Sequence, residues 1–300
     1  MNNLSLYLAT VLIWGSTWLA IKFQLGAVPV EWSVVYRFGL AALLLLAYCL
    51  ARGLNLRFSR RDHAFMALQG CLLFCLNYVL IYHSEMHLSS GLVAVLFSSI
   101  VFLNTLNTRL FFGTPIEPKV VVSAALGFTG ISMVFWPELA SFNGQQGMAG
   151  VWFGLAATTS ASLGNMVSSR NQRAQIPVIQ GNAFGMLYGA LAVAVYTVLA
   201  GKPMVFDWGG GYVWSLVYLA VFGSILAFGA YLTLIGRIGA DRASYAGVVI
   251  PIVALLLSTV FEGFQWHAST IIGIALCLSG NVLILQKKRP TPVLKPAAQV

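Results

Sequence analysis

Residues 240–262 read ADRASYAGVVIPIVALLLSTVFE, and this stretch decides the fold class of the chain. A helix of roughly 20 apolar residues, rising about 1.5 Å per residue, crosses a hydrocarbon core about 30 Å thick. Pro251 lies near the middle, where proline removes one backbone hydrogen bond and bends a helix. Because the freed carbonyl needs a partner on a neighbouring helix or in a wet cavity, we expect this segment to form the wall of an internal cavity.

The composition agrees with a membrane protein. Of the 300 residues 59% are hydrophobic and only 8% are charged, whereas about a quarter of the residues of a soluble domain are charged. The formal net charge of +9 is typical of some nucleic-acid-binding proteins. Here the basic residues form short clusters between apolar runs, which indicates membrane topology instead of a nucleic-acid partner.

The cysteines indicate neither disulfides nor a metal site. All of them fall inside apolar runs, at Cys49, Cys71, Cys75 and Cys277. We therefore expect packed, reduced thiols and no bound cofactor or metal.

Apolar runs predict an all-α membrane protein with ten transmembrane helices. The predicted segments are 4–25, 31–51, 63–83, 89–111, 118–137, 148–170, 179–200, 211–235, 242–262 and 268–286. If both termini are cytoplasmic, all Lys and Arg residues except Lys22, Arg37 and Lys202 lie on the cytoplasmic side. The positive-inside bias therefore favours this topology. The first run has no basic segment before it, so we interpret it as a retained span and not a cleaved signal peptide.

A short motif recurs in the two halves of the chain. Gly127-Phe-Thr-Gly130 matches Cys277-Leu-Ser-Gly280 at an offset of 150 (280 minus 130), and an Ala-Leu pair precedes each motif. Five segments per copy is an odd number, so the second copy enters the membrane from the opposite side. We predict two inverted five-helix repeats, 1–140 and 146–287, followed by a cytoplasmic basic tail, 288–300, with a substrate site near the midplane. A chance match between short apolar motifs is the alternative.

Several motifs together resemble the drug/metabolite transporter superfamily, specifically its EamA-type exporters. The residues that carry the resemblance are Leu12–Lys22 (LIWGSTWLAIK), Tyr36–Phe38, Ala243–Ser244, Pro251, Phe261–Glu262, Gly273–Leu276 and Gly280. The first half departs from the pattern at two places. Val101 occupies the position that corresponds to Pro251, and Gly113-Thr114 lies near the place where the family often has Gly-Glu. These departures leave open whether the two halves bend alike.

The resemblance implies a transporter in a bacterial inner membrane, similar to amino-acid and aromatic amino-acid exporters. It implies a cavity between segments one, three, four, six, eight and nine. The expected partners are a small-molecule substrate and the lipid bilayer. The oligomeric state is open, and a monomer is the working expectation.

Segment one offers an aromatic face. Trp14, Trp18 and Lys22 recur at i, i+4 and i+8, which places them on one side of a helix. They form either an aromatic cavity wall with a cation toward the outer mouth, or an interfacial tryptophan with a snorkelling lysine.

Segment three offers Asn77, Tyr78 and Tyr82. The two tyrosines share a face, where they can stack on an aromatic or apolar ligand and donate hydroxyl hydrogen bonds. Ordinary packing is the competing interpretation.

Segments four and six carry polar stripes within predicted spans. They are Ser98, Thr105 and Thr108, with Ser99, Asn104 and Asn107 beside them, and Thr158, Ser162, Asn165 and Ser169. Such groups either line a cavity or form hydrogen bonds between helices. We select Asn165 with Ser98 or Ser99 as cavity residues, because the resemblance places both segments around the cavity. On the same basis Phe228, Tyr231 and Tyr245 are aromatic candidates from the second half.

Three residues are assigned gating or structural roles: Pro251, Arg37 and Glu262. Arg37 lies inside a span and needs a partner. It either holds a substrate carboxylate or, as the favoured interpretation, pairs with Glu31, Glu85 or Glu262. No acidic residue lies at mid-span to carry a proton. His83, Glu85 and His87 either titrate near the outer mouth or belong to an exposed polar loop.

Glycines in segments six and seven predict close helix packing. They occur at four-residue intervals, at Gly150, Gly154, Gly181, Gly185 and Gly189.

These observations favour a secondary transporter that exports small neutral, hydrophobic or aromatic amino acids and related metabolites by alternating access. A nucleotide-sugar or sugar-phosphate carrier is the alternative within the superfamily. Phosphate groups need several Lys or Arg residues in the cavity, and only Lys22 and Arg37 lie within the predicted spans away from their cytoplasmic ends. An intramembrane enzyme needs paired carboxylates, a Ser/His set or metal ligands at helical spacing, and the sequence has none of these patterns. A receptor or scaffold predicts no internal repeat.

Overall fold

The computed structural model describes residues 1–113, 119–141, 145–238, 243 and 246–285, and over these ranges it contains helices and no β-strand. We label the helices as α1 Asn3–Lys22, α2 Val30–Ala51, α3 Arg60–Glu85, α4 Ser90–Phe112, α5 Lys119–Ser141, α6 Gln145–Arg173, α7 Val178–Leu199, α8 Gly210–Ile238, α9 Ala246–Phe261 and α10 Ala268–Leu285. The predicted all-α class is confirmed for the described part of the chain.

Several of these helices have the apolar length of a membrane span. Six of them, α1, α2, α3, α4, α7 and α8, are long and apolar enough to cross a bilayer, and shorter apolar helices cover Ala125–Val134, Val249–Phe261 and Ala268–Leu283. Large apolar side chains such as Leu43, Leu199 and Trp214 are exposed on the outside of the bundle. A surface of this kind is stable against lipid tails and not against water.

The helices begin and end at local signals. The Asn2 side chain accepts a hydrogen bond of 2.8 Å from the Ser5 amide at the start of α1. The Ser59 hydroxyl accepts one of 3.1 Å from the Asp62 amide at the start of α3. Each cap satisfies an amide that has no partner inside the helix. At its other terminus α4 stops at Gly113, whose φ of +72° favours glycine.

Two helices contain a π-helical segment at matching positions. The segment covers Cys71–Leu76 in α3 and Leu219–Leu226 in α8, and the two start 148 residues apart (219 minus 71). A π-helical segment changes the direction of the following side chains and occurs often at functional sites. Here both segments lie next to residues that face the interior of the bundle.

The helices α4 and α9 depart from a regular helix in different ways. Pro251 lies inside the continuous helix α9. In α4 the helix is interrupted at Ser98 and Ser99, between Ser90–Phe97 and Ile100–Phe112. The Ser98 hydroxyl donates to the Val95 carbonyl at 2.6 Å, so a serine side chain satisfies a backbone carbonyl beside the break. The two halves therefore differ at these positions, since one helix is interrupted and the other is continuous through a proline.

The repeated glycine motif forms one helix seam. α5 packs mainly on α10, and a Cβ atom on Gly130 would lie 2.5 Å from the Gly273 oxygen and 2.7 Å from the Cys277 sulfur. The free thiol of Cys277 in turn donates to the Gly127 carbonyl at 3.6 Å. Backbones that approach this closely require small residues on both helices.

The glycines of α6 and α7 pack as predicted. A Cβ atom on Gly189 would lie 2.8 Å from the Gly70 carbonyl oxygen, and one on Gly154 would lie 3.2 Å from the Ser84 hydroxyl. Gly150 likewise meets Leu88. Gly181 has only ordinary contact with its surroundings. These contacts hold α3 against α6 and α7, which positions the face of α3 that carries Asn77 and Tyr78.

Candidate functional site

A cavity lies in the interior of the bundle, with about 730 Å³ of empty space that includes open solvent at its mouth. Its lining residues are Trp14, Thr17, Trp18, Ile21, Leu73, Asn77, Tyr78, Ile81, Ala94, Phe97, Ser98, Ile100, Ala161, Asn165, Phe228, Tyr231, Ala246, Gly247, Ile250 and Pro251. They come from α1, α3, α4, α6, α8 and α9, the six segments expected around it.

Trp14 anchors one wall of the cavity. Its indole Nε1 donates a hydrogen bond of 3.1 Å to the carbonyl of Gly223, in the π-helical segment of α8. The ring lies 4.9 Å from the ring of Phe228 and 4.9 Å from that of Tyr231. Because the hydrogen bond restrains the indole, the three rings form a preorganised aromatic surface on one side of the cavity.

Trp18 and Phe97 form an aromatic pair on another side. Their ring centroids are 5.4 Å apart, which places α1 against α4. The Trp18 side chain is buried, and its Nε1 has no hydrogen-bond partner among the described residues. A buried donor without a partner is costly. A bound substrate or a water molecule would remove this cost by accepting a hydrogen bond from the indole.

Asn77 and Tyr78 line the cavity from α3. The Asn77 amide nitrogen donates to the Leu73 carbonyl at 3.3 Å, and its buried Oδ1 has no partner among the described residues. Tyr78 packs edge-on against Phe38 at 4.8 Å. Together they supply an acceptor and an aromatic ring to an otherwise apolar face.

Tyr82, which shares a helical face with Tyr78, does not line the cavity. Its side chain is fully buried, and its hydroxyl has no hydrogen-bond partner among the described residues. Successive residues turn by about 100° around a helix, and the lining part of α3 is centred on Asn77 and Ile81. Tyr78 is therefore at the edge of the lining face, and Tyr82 lies farther round the helix. The expected substrate contact of Tyr82 is not supported.

Of the two serines at the break in α4, Ser98 lines the cavity and Ser99 does not. The Ser99 hydroxyl is buried without a partner among the described residues. Neighbouring residues of a helix point about 100° apart, so the two side chains face different sides, and the expected substrate contact of Ser99 is not supported.

Part of the polar stripes of α4 and α6 joins these two helices. Asn107 donates to the Ser162 hydroxyl at 2.8 Å, and Asn165 donates to Asn104 Oδ1 at 3.4 Å. The interpretation as interhelical hydrogen bonds is therefore right for these pairs. Asn165 has a second role as well, because its side chain also lines the cavity.

α9 supplies the wall that Pro251 predicted. Pro251 and Gly247 both line the cavity. Because proline has no amide hydrogen, Pro251 leaves the Gly247 carbonyl without its usual helical hydrogen bond. Phe228 and Tyr231 of α8 lie there too. Tyr245, the remaining aromatic candidate, is outside the described residues.

Arg37 forms no ion pair among the described residues, so the favoured interpretation of its role was wrong. Its side chain is fully buried. Its Nε donates to the Ser224 hydroxyl at 3.0 Å, and its guanidinium carbon lies 4.3 Å from the centre of the Tyr78 ring. Both terminal nitrogens lack a hydrogen-bond partner among the described residues. Stacking on an aromatic ring takes the place of the expected carboxylate.

A polar cap lies at the end of the bundle where α1 terminates. The Lys22 ammonium donates to the carbonyls of Glu85 at 2.6 Å and Leu88 at 2.7 Å, and it lies 3.7 Å from Glu262 Oε1. Glu262 accepts hydrogen bonds from the Ser90 amide and hydroxyl. Lys22 and Glu262 thereby join α1, the α3–α4 turn and the end of α9, directly beyond the cavity residue Ile21.

A second ionic group stabilises the same end of the bundle. The buried carboxylate of Glu31 accepts from Lys202 at 2.7 Å and lies 3.2 Å from His83 Nε2. It connects α2 and α3 to the loop between α7 and α8. Glu31 therefore has partners of its own and is not available to Arg37.

Some lining residues were not predicted. Thr17 and Ile21 continue the stripe of Trp14 and Trp18 at helical spacing, which is a signal that sequence reasoning could have used. Phe97 and Ile81 are apolar residues within apolar runs. Nothing in the sequence separates their faces from those that contact lipid.

Comparison with known proteins identifies relatives of the whole chain. A sequence profile of the EamA-like transporter family matches residues 2–136 and 148–286. The chain is 29% identical over 97% of its length to a protein named uncharacterized inner membrane transporter YedA of Escherichia coli strain K12, covering 95% of that protein. It is 24% identical to uncharacterized transporter YoaV of Bacillus subtilis strain 168, covering 90% of each chain.

The fold also has a solved counterpart. A crystal structure matches this chain with a TM-score of 0.69 at 20% sequence identity, covering 93% of this chain and 94% of that one. At this identity the likeness concerns the fold alone.

Proposed function

The chain belongs to the EamA-like transporter family, and we propose that it is a secondary transporter that exports small neutral, hydrophobic or aromatic amino acids and related metabolites by alternating access. The observation that carries this proposal is the chemistry of the cavity. The described residues that line it are aromatic, aliphatic or neutral polar, and none of these is charged. Stacking surfaces with a few neutral hydrogen-bonding groups suit a substrate of no net charge.

The cavity does not favour the other function classes. A nucleotide-sugar or sugar-phosphate carrier needs cationic side chains for its phosphates, and the lining residues include no Lys or Arg. An intramembrane enzyme needs carboxylates, a nucleophile with its base, or metal ligands. The lining residues include no Asp, Glu, His or Cys.

We propose that the substrate contacts come from the predicted residues that line the cavity. They are Trp14, Trp18, Asn77, Tyr78, Ser98, Asn165, Phe228 and Tyr231. Pro251 shapes the wall, and Glu262 is part of the cap that separates the cavity from one side of the membrane.

We propose two inverted repeats, 1–140 and 146–287, with ten spans in all and a basic tail at 288–300. The matching π-helical segments of α3 and α8 support this arrangement, as does the family profile that matches twice. Both termini are assigned to the cytoplasm because the basic loops then lie inside. The cap formed by Lys22 and Glu262 consequently faces outward. We propose a monomeric transporting unit, because six helices of one chain line the cavity.

The chain is a multi-pass protein of a bacterial inner membrane, because it has several apolar helices and because its relatives are named as inner membrane transporters. The lipid bilayer and a small-molecule substrate are therefore its partners.

Cysteine labelling tests the topology. In a background with the native cysteines replaced by serine, Asn55→Cys and Ala174→Cys are expected to react with an impermeant maleimide only in inverted vesicles. Met86→Cys and Met204→Cys are expected to react in whole cells. Met86 lies at the other end of α3 from Asn55, and Met204 lies at the other end of α7 from Ala174. If Asn55→Cys and Ala174→Cys react from different sides, the inverted-repeat topology is wrong.

Counterflow in proteoliposomes tests the function. We expect saturable exchange of labelled phenylalanine, tryptophan, methionine or threonine, with competition between them, because one cavity holds them all. Vesicles without protein are the control. Exchange of a nucleotide sugar or sugar phosphate, with none of these amino acids transported, would contradict the proposal and favour a phosphate-bearing substrate.

A further inference from the structure

Glu85 is a buried carboxyl group without a partner. Its residue is 1% exposed, and neither carboxylate oxygen has a hydrogen-bond partner among the described residues. The interpretation of this region as an exposed polar loop is therefore wrong for Glu85. A buried carboxylate that accepts no hydrogen bond is strongly disfavoured unless it takes up a proton.

The neighbouring lysine is engaged elsewhere. The Glu85 side chain lies within electrostatic range of Lys22, Glu262 and Arg37. Lys22 uses its ammonium on the backbone carbonyls of Glu85 and Leu88, and its ion pair is with Glu262. Two carboxyl groups thus compete for one lysine, and in this conformation Glu262 holds it.

Arg37 and two tyrosines complete the surroundings of Glu85. The terminal nitrogens of Arg37 and the hydroxyl of Tyr82 are buried without partners among the described residues. Tyr78 lies under the Arg37 guanidinium and also interacts electrostatically with Glu85. These groups can stabilise an ionised Glu85, but no contact within hydrogen-bonding distance is formed.

The remaining charged groups of the elements around Glu85 lie elsewhere. α4 and α6 carry theirs at the opposite end of the bundle, at Arg109, Arg170 and Arg173. Glu31 pairs with Lys202 and His83, and the His87 ring stacks near Phe153. Within the described residues, the balance at Glu85 is therefore set by Lys22, Glu262 and Arg37.

The position of Glu85 suits a proton rather than a larger ligand. It follows the cavity residue Ile81 by one helical turn and is itself not part of the lining. It lies between the cavity and the capped end of the bundle. A proton needs no cavity volume, and it can reach this site from the cavity or from outside when the cap opens.

We propose that Glu85 binds the proton that this transporter exchanges for its substrate, an inference that rests on the proposed function. With the cap open, a Glu85 carboxylate oxygen accepts a proton from outside water, and the cap then closes over the neutral carboxyl group. With the cavity open to the cytoplasm, Glu85 returns that proton to water as substrate binds. The ionised carboxylate then competes with Glu262 for Lys22, which loosens the cap. One proton enters for each substrate molecule that leaves.

Proton movement in proteoliposomes tests this proposal. Vesicles loaded with phenylalanine and pyranine are diluted into medium without phenylalanine, so that its exit drives proton entry. Wild-type protein is expected to acidify the lumen. Glu85→Gln is expected to lose at least about nine-tenths of the acidification, because the amide binds no proton, and its phenylalanine counterflow is expected to fall as well, because no ionised carboxylate loosens the cap.

The matched control is Glu31→Gln, which removes another buried carboxylate at the same end and is expected to keep acidification. Glu85→Asp is expected to restore part of it. Counterflow by wild type without acidification overturns the proton proposal and leaves the transport function intact, whereas absence of both overturns both. Acidification that persists in Glu85→Gln overturns the role of Glu85.

A second measurement keeps the test decisive if Glu85→Gln does not fold. Phenylalanine binding to wild-type protein is followed by titration calorimetry in two buffers of different ionisation enthalpy. We expect the apparent binding enthalpy to differ between the buffers, by the amount that corresponds to release of about one proton. Equal enthalpies in the two buffers overturn the proposal.

Discussion

Trp14→Ala is expected to weaken phenylalanine counterflow at least about tenfold, measured as the half-saturating concentration in proteoliposomes. Trp14 lies in the wall of the cavity with Phe228 and Tyr231 at 4.9 Å. Aromatic pairs contribute about 0.5–1.5 kcal/mol beyond the burial of their area, and about 1.4 kcal/mol corresponds to a factor of ten in affinity. Loss of the ring and of its buried surface together should exceed that value.

Two further variants separate the substrate contact from folding. Trp214→Ala is the matched control, because Trp214 is 75% exposed on the outside of the bundle, and it should leave counterflow within about twofold of wild type. Trp14→Phe keeps a ring in the wall but loses the hydrogen bond to Gly223. We expect it to fall between wild type and Trp14→Ala. If Trp14→Ala transports phenylalanine normally, the aromatic wall is not the substrate site.

Gly70→Ala is expected to lower the stability of the folded protein markedly. The added Cβ would lie 2.9 Å from the carbonyl carbon of Gly185 and nearer still to its oxygen, so two helix backbones would have to separate. Overpacking of a well-packed interior costs typically about 1–3 kcal/mol and occasionally more. The melting temperature, followed by size-exclusion chromatography after heating, should fall by several degrees, and Gly70→Leu should give little monodisperse protein.

Gly39→Ala is the matched control for this prediction. Gly39 is also inside a helix, α2, but a Cβ atom there would meet nothing within 4 Å. Alanine has the higher helix propensity, by up to about 1 kcal/mol, so the control should be neutral or stabilising. A Gly70→Ala protein that melts at or above the wild-type temperature would show that the α3–α7 crossing does not need glycine.

Most of the fold could be predicted from residues close together in sequence. Segment three was expected at 63–83 and is a helix at Arg60–Glu85, because apolar length is a local property. The break at Ser98 and Ser99 could not be predicted in the same way. Serine bends a helix only where its hydroxyl finds a backbone carbonyl, which depends on the local geometry.

The candidate site was predicted less completely. Trp14, Trp18 and Asn165 were expected in the cavity wall and line it, since bulky aromatic or polar groups within a span seldom face lipid tails. Tyr82 and Ser99 were expected there and are absent from the lining. The helical repeat assigns a residue to a face only to within a few tens of degrees, and the neighbouring helices decide which part of that face borders the cavity.

The choice of partners for charged groups was decided only by the tertiary structure. Arg37 had three carboxylates to choose from in the sequence, but it stacks on Tyr78, while Glu31 and Glu262 bind lysines. Partner choice depends on distances between helices that are far apart in the chain. Sequence spacing carries no information about those distances.

By itself, the sequence determined that this chain is a helical, multi-pass membrane protein with few charges in its interior, because apolar length and charge density act locally along each helix. The tertiary structure alone decided that six helices line a cavity whose described residues are uncharged and that Glu85 is buried within electrostatic range of Lys22 and Glu262. These features arise from the packing of side chains on different helices, and packing is determined by the whole set of contacts and not by any one segment.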